Sequence, residues 1–134
     1  MDTTILVVDD SKMQLHLTDK ILRGLGYVNI ELAISGEEAK NSLNSKKIDL
    51  VFSDWHMPGV SGLDLLKFVR STARVAAIPF VIITTEHDKS VIFEAAKAGV
   101  TNYVFKPINK DIVKRKLYDL AKLFPSLNPP HESL

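Results

Sequence analysis

Apolar residues along this chain recur in two alternating periods. Ile5-Leu6-Val7-Val8 is a short, partly β-branched run of the kind that forms a strand covered on both faces. After Asp9-Asp10-Ser11 the period changes: Met13, Leu17, Ile21 and Leu25 stack at helical spacing, predicting a first helix with these residues on its buried stripe. Gly24 and Gly26 close it, because glycine tolerates the left-handed conformation that ends helices. Ile30, Leu32 and Ile34 alternate with Glu31 and Ala33, the pattern of a less evenly covered edge strand. Ser35-Gly36-Glu37-Glu38 has the spacing of a capping box and predicts a second helix reaching about Lys46.

The cycle then repeats three times. Leu50-Val51-Phe52 predicts a buried third strand, followed by a loop with Asp54 and Met57-Pro58-Gly59. Ser61 caps a third helix carrying Leu65, Leu66 and Val69. Phe80-Val81-Ile82-Ile83 is a fourth strand, and Val91, Ile92, Ala95, Ala96 and Gly99 follow one face of a fourth helix. Tyr103-Val104-Phe105 is a fifth strand cut off by Pro107. Val113, Leu117, Leu120, Ala121 and Phe124 stripe a fifth helix that Pro125 stops. Strands alternating with helices throughout predict an α/β sandwich on a mostly parallel sheet, with right-handed crossovers placing helices on both faces. One domain over residues 1–124 is expected, followed by a mobile tail over 125–134 that holds further prolines and few apolar groups.

Composition narrows the chemistry. The 134 residues are 46% hydrophobic and 25% charged, a folded rather than disordered balance. A net charge of +1 supplies no broad attraction to nucleic acid or membranes, and the absence of cysteine excludes disulfides, thiolate metal sites and cysteine nucleophiles. No apolar run reaches membrane-spanning length and the first residues lack the basic region of a signal peptide, so the expected location is the cytoplasm. The run Lys110, Lys114, Arg115, Lys116 is expected to be a solvated helix face.

In open parallel sheets, ligands bind beyond the carboxyl ends of the strands. Those ends carry Asp9 and Asp10 after the first strand, Asp54 after the third, Thr84 and Thr85 at the fourth, and Lys106 after the fifth. Any one of them has an ordinary explanation: a helix-start acid, a loop acid, a β-branched strand residue, a solvated lysine. Together they predict three carboxylates on one rim, which repel one another unless one is protonated or a cation sits among them. Oxygen donors of this kind suit magnesium (manganese is the second choice), and Lys106 and the Thr84 hydroxyl suit the oxygens of a phosphoryl group. A carboxylate is itself a nucleophile that forms an acyl phosphate.

Val7-Val8-Asp9-Asp10-Ser11, Ser53-Asp54-Trp55-His56-Met57-Pro58, Thr84 and Lys106-Pro107 together resemble the motif set of response-regulator receiver domains, from about Ile5 to Phe124 and nearest to the single-domain chemotaxis members. The resemblance implies a flavodoxin-like three-layer (βα)5 sandwich with a five-stranded parallel sheet of order 2-1-3-4-5. It implies that Asp54 is the phosphoacceptor, that Asp9, Asp10, Asp54 and the backbone carbonyl of His56 hold the metal with Asp10 the more direct ligand, and that Thr84 and Lys106 contact the phosphoryl group. It further implies a cis Lys106-Pro107 bond and a switch pairing Thr84 with Tyr103. His56 departs from the pattern, standing where the chemotaxis members have asparagine; it is either a solvent-exposed loop side chain or a residue whose ring restricts the water attacking phospho-Asp54 and so tunes dephosphorylation. Glu86 matches the family pattern and either orients that water or a phosphatase group, or is a first-turn helix acid. The implied partners are a sensor histidine kinase or phosphotransfer protein as donor, and a protein target on the surface of the fourth helix, fifth strand and fifth helix. No nucleic acid or membrane insertion is expected, and no turnover of a separate substrate. A phosphorelay intermediate or a receiver cut from a larger regulator has the same motifs. A magnesium-dependent aspartyl-phosphate phosphatase fits less well, because the haloacid-dehalogenase pattern places its nucleophile after the first strand with a second acid two residues on, and no segment here forms a substrate cap.

Overall fold

The computed structural model describes residues 2–85 and 89–131. Strands and helices alternate as β1 (Thr4–Val8), α1 (Lys12–Gly24), β2 (Asn29–Ala33), α2 (Gly36–Ser45), β3 (Leu50–Asp54), α3 (Gly62–Ser71), β4 (Phe80–Thr84), α4 (Lys89–Lys97), β5 (Asn102–Phe105) and α5 (Lys110–Leu123). All four strand pairings are parallel and the order is β2-β1-β3-β4-β5, the flavodoxin-like arrangement. The chain therefore reverses direction across the sheet beside β1 and β3, where open α/β sheets leave a crevice.

Because side chains alternate across a strand, the sheet divides the core in two. Ile5, Val7, Leu50, Phe52, Val81, Ile83 and Val104 face α1 and α5, packing on Leu15, Leu22, Val113, Leu117 and Leu120. Leu6, Val8, Val51, Phe80 and Ile82 face the other helices, packing on Ala39, Leu43, Leu65, Leu66, Val69 and Ala95. β3 and β4 are buried along their whole length, whereas β2, paired on one side only, is exposed at Asn29 and Leu32.

Two helix faces differ from the sequence pattern. In α1 the buried residues are Leu15, Thr18, Ile21 and Leu22, while Met13 is 83% exposed and Leu17 is 40% exposed. Both sets satisfy helical spacing; the sheet takes the one to which the β1–α1 connection turns it. In α4 only Ala95 is buried, and Ala96 and Gly99 are exposed.

Residues 125–131 lie against the domain. Leu127 is buried in the α1–α5 core. Asn128 Oδ1 accepts from Thr3 N and Thr3 Oγ1, both at 3.0 Å, and Asn128 N donates back to Thr3 Oγ1 at 2.8 Å. The buried Tyr27 hydroxyl donates to the Asn128 carbonyl at 2.8 Å, and His131 N donates to Leu25 O at 2.8 Å. Burial pushes the Tyr27 phenol well above its ordinary value, with Tyr118 adding to the shift, so the group stays a neutral donor. Among the described residues, no helix is long and apolar enough to cross a membrane.

Candidate functional site

The carboxyl ends of β1, β3, β4 and β5 meet at one rim. Strand β1 delivers Asp9, whose backbone N donates to Ala33 O at 3.1 Å. Its carboxylate turns inward: Oδ1 accepts from Ser11 N at 2.9 Å, and the residue is 4% exposed. Ser11 then N-caps α1, its hydroxyl accepting from Gln14 N at 3.3 Å. This start leaves Asp10 exposed beside the buried Asp9.

Asp54 is the last residue of β3 rather than a loop residue, in register with Ile83, and 8% exposed. The connection behind it is tight. Gly62 N donates to Trp55 O at 2.9 Å. A Cβ at residue 62 would collide with the Asp54 carbonyl oxygen and lie 2.8 Å from Trp55 Cα. Gly62 opens α3, whose capping box is complete: Ser61 Oγ accepts from Asp64 N and an Asp64 carboxylate oxygen accepts from Ser61 N, both at 3.1 Å. Those bonds hold the Asp64 carboxyl below its ordinary value. Sequence reading did not single out Gly62; its only signal was a glycine directly after a capping serine.

Lys106 completes the rim. Its backbone N donates to Thr84 O at 2.8 Å, and Nζ stands 3.2 Å from Asp9 Oδ2 and 3.4 Å from Asp54 Oδ1. The following Lys106-Pro107 bond is cis. Oxygen atoms of Asp9, Asp10 and Asp54 all lie within 4.8 Å of one another. Burial, first, and then the charge of Asp9 raise the Asp54 carboxyl above its ordinary value; Lys106 and the Trp55 backbone pull it back down. Three carboxylates against one ammonium leave an excess of negative charge, and the donors are all hard oxygens. That combination fits a small divalent cation.

The remaining sequence candidates are placed as follows. Thr84 is 3% exposed at the end of β4. The β4–β5 register pairs Ile82 with Tyr103 and Thr84 with Phe105, so Thr84 and Tyr103 stand on the same face of the sheet, the one covered by α2, α3 and α4. Tyr103 is half-buried, its ring 5.3 Å from that of Phe105. His56 is exposed two residues past Asp54, where it, Met57, Pro58 and Ser61 line a surface hollow. Trp55 is buried. Glu86 lies outside the described residues.

Comparison with known proteins agrees with this geometry. The family described as the response regulator receiver domain matches residues 5–118. The chemotaxis protein CheY of Pseudomonas aeruginosa is 38% identical over 124 residues, covering 92% of this chain and 98% of its own length. CheY1 of Helicobacter pylori is 41% identical over 114 residues, 84% of this chain and 92% of that protein. Among solved structures, the chemotaxis response regulator CheY4 of Vibrio cholerae superposes with a TM-score of 0.83 at 28% identity, over 90% of this chain and 99% of its own. A match of that extent, on a sheet of this order with these acids at its rim, places the chain in the response regulator receiver domain family.

Proposed function

We propose that this receiver accepts a phosphoryl group on Asp54 from the phosphohistidine of a sensor kinase or phosphotransfer protein, and that the modification changes a protein-binding surface. The observation that carries the reading is the convergence of Asp9, Asp10 and Asp54 with Lys106 Nζ reaching two of the three carboxylates. An Asp54 carboxylate oxygen attacks phosphorus in line with the leaving imidazole nitrogen. The new P–O bond forms as the P–N bond breaks, and the freed electron pair stays on the imidazole.

The residues divide the work. Asp9, Asp10, Asp54 and the backbone carbonyl of His56 would hold magnesium, which offsets charge on the transferred phosphoryl oxygens when bound. Lys106 neutralises a further charge, and the Thr84 hydroxyl donates to a phosphoryl oxygen. Thr84 moving toward phospho-Asp54 leaves room on the sheet face it shares with Tyr103. Tyr103 then moves inward and shifts an existing equilibrium of the α4–β5–α5 surface. The names of the relatives favour chemotaxis as the pathway, and a cytoplasmic location follows from a kinase donor. The receiver assists its own modification and turns over no separate substrate. A phosphorelay intermediate or the receiver of a longer regulator would use the same site.

Incubation with acetyl phosphate and magnesium should add one phosphoryl group by mass. The gain should vanish in Asp54→Asn and on chelation. Labelling that persists in Asp54→Asn refutes the assignment. His56 is proposed to hinder the water that hydrolyses phospho-Asp54, with Glu86 as a second tuning residue. Dephosphorylation of His56→Asn at the wild-type rate would refute that role for His56.

A further inference from the structure

Arg70, in the last turn of α3, makes a set of bonds far from the acidic rim. Its Nε donates to Gly99 O at 2.9 Å, one terminal nitrogen donates to Ala76 O at 3.1 Å and Ile78 O at 2.6 Å, and the other donates to Thr101 Oγ1 at 3.3 Å. Thr101 is bound in turn to the first residue of β4: its Oγ1 accepts from Phe80 N and its N donates to Phe80 O, both at 2.9 Å. One guanidinium thus joins the end of α3, the α3–β4 connection, the end of α4 and the approach to β5. A planar group with donors on three nitrogens can hold four acceptors in different directions; a lysine ammonium on the same stem cannot.

The end of α4 is fixed in a second way. Gly99 N donates to Ala96 O at 3.1 Å and Val100 N to Ala95 O at 3.0 Å, with Gly99 at φ 92°, the Schellman arrangement. A Cβ at residue 99 would stand 3.2 Å from Arg70 Nε, so the left-handed glycine also makes room for the clamp. The body of α4, by contrast, is thinly attached. Ala95 is its one buried residue, against four in α1, three in α2, four in α3 and three in α5. Few buried contacts along an element make it inexpensive to displace, and a fixed end decides how it can move.

We propose that Arg70 is the fulcrum of the switch, a positioning residue that holds the C-terminal end of α4 so that a change at Thr84 turns the helix about that end. The inference rests on the phosphoacceptor reading above and adds to it which end of α4 moves. For a rigid helix rising about 1.5 Å per residue, Lys89 lies about 15 Å from Gly99 along the axis and Lys97 about 3 Å, so rotation about Gly99 displaces residue 89 roughly five times as far as residue 97.

The chain has no cysteine, so paired labels can be placed cleanly. Asn41, Lys89 and Lys97 are all exposed. Spin-label distances from Asn41→Cys on α2 to Lys89→Cys and to Lys97→Cys are measured with and without beryllofluoride, a mimic of the phosphoryl group, in the presence of magnesium. The distance to residue 89 should shift and that to residue 97 should stay nearly constant. In Arg70→Lys, which keeps the charge but loses the fork, the distance to residue 97 should shift and broaden on activation, while acetyl phosphate labels Asp54 at close to the unsubstituted rate. Equal shifts at both positions, no shift at residue 89, or an unmoved residue 97 in Arg70→Lys would each overturn the fulcrum. Asp54 labelling in the same preparations tells whether the functional reading fails with it.

Discussion

Replacing Asp54 by asparagine should make the metal-free protein more stable, although it removes the group on which the proposed activity depends. Carboxylate oxygens of Asp9 and Asp54 lie within 4.8 Å, a repulsion of about 3.5 kcal/mol at an effective dielectric of 20. Lys106 Nζ at 3.4 Å from Asp54 returns about 5 kcal/mol on the same scale. The attraction exceeds that repulsion by about 1.5 kcal/mol, and repulsion from Asp10 together with the cost of burying the Asp54 charge, the largest cause of its raised pKa, outweighs the difference. Asparagine has the same shape and no charge, and Lys106 keeps Asp9 at 3.2 Å, so no buried ion is orphaned. The expected gain at pH 7 is about 2 kcal/mol, or a melting temperature higher by roughly 6–8 °C for a chain of this size.

The pH dependence carries its own sign. A carboxyl whose folded pKa is raised contributes stability that is fully present below its unfolded pKa, near 3.8, and lost as pH rises through the folded value. The advantage of Asp54→Asn should therefore be greatest above the folded pKa and shrink toward zero as pH falls below 3.8. Magnesium should raise the melting point of the unsubstituted protein more than that of Asp54→Asn, since only a binding-competent native state is stabilised by mass action. The assay is thermal unfolding followed by circular dichroism in chelator, then with magnesium, from below pH 3.8 up to neutral pH. An Asp54→Asn protein melting at or below the unsubstituted one at pH 7, or a difference that grows on acidification, refutes the electrostatic account of the rim.

Other outcomes follow from single contacts. Leu127→Ala should lower unfolding free energy by about 2–3 kcal/mol and Asn128→Ala by about 1–2 kcal/mol, both read by urea denaturation; no loss in either would mean the segment after α5 is not held as described. Gly62→Ala should displace the Asp54 backbone and cut the acetyl phosphate labelling rate by at least about tenfold, since misplacement on the ångström scale has costs of that order and more; an unchanged rate would show that α3 yields freely. The buried Trp55, next to Asp54, should change its fluorescence on addition of magnesium and again with beryllofluoride; silence to both would count against the geometry of the cation site.

The legibility of this molecule divides along the range of the interactions involved. Element type and order could be read from the chain because period is a local property: Leu50-Val51-Phe52 and Phe80-Val81-Ile82-Ile83 have nowhere to place an exposed face, and both strands are buried throughout. The rim could be read for a related reason, since parallel strands send their carboxyl ends to one side and Asp9, Asp10, Asp54, Thr84 and Lys106 each follow or end a strand. What the tertiary structure alone decided depends on direction and distance. Met13 and Leu17 share helical spacing with Ile21, yet the sheet covers Leu15, Thr18 and Leu22, because periodicity marks a stripe but not which of two stripes meets the sheet. Thr3 and Asn128 pair across nearly the whole chain, and Arg70 binds Gly99 and Thr101, through contacts that no local pattern encodes. Only in three dimensions does Lys106 reach two carboxylates from strands not adjacent to its own, which turns acids that are individually ordinary into one charged site.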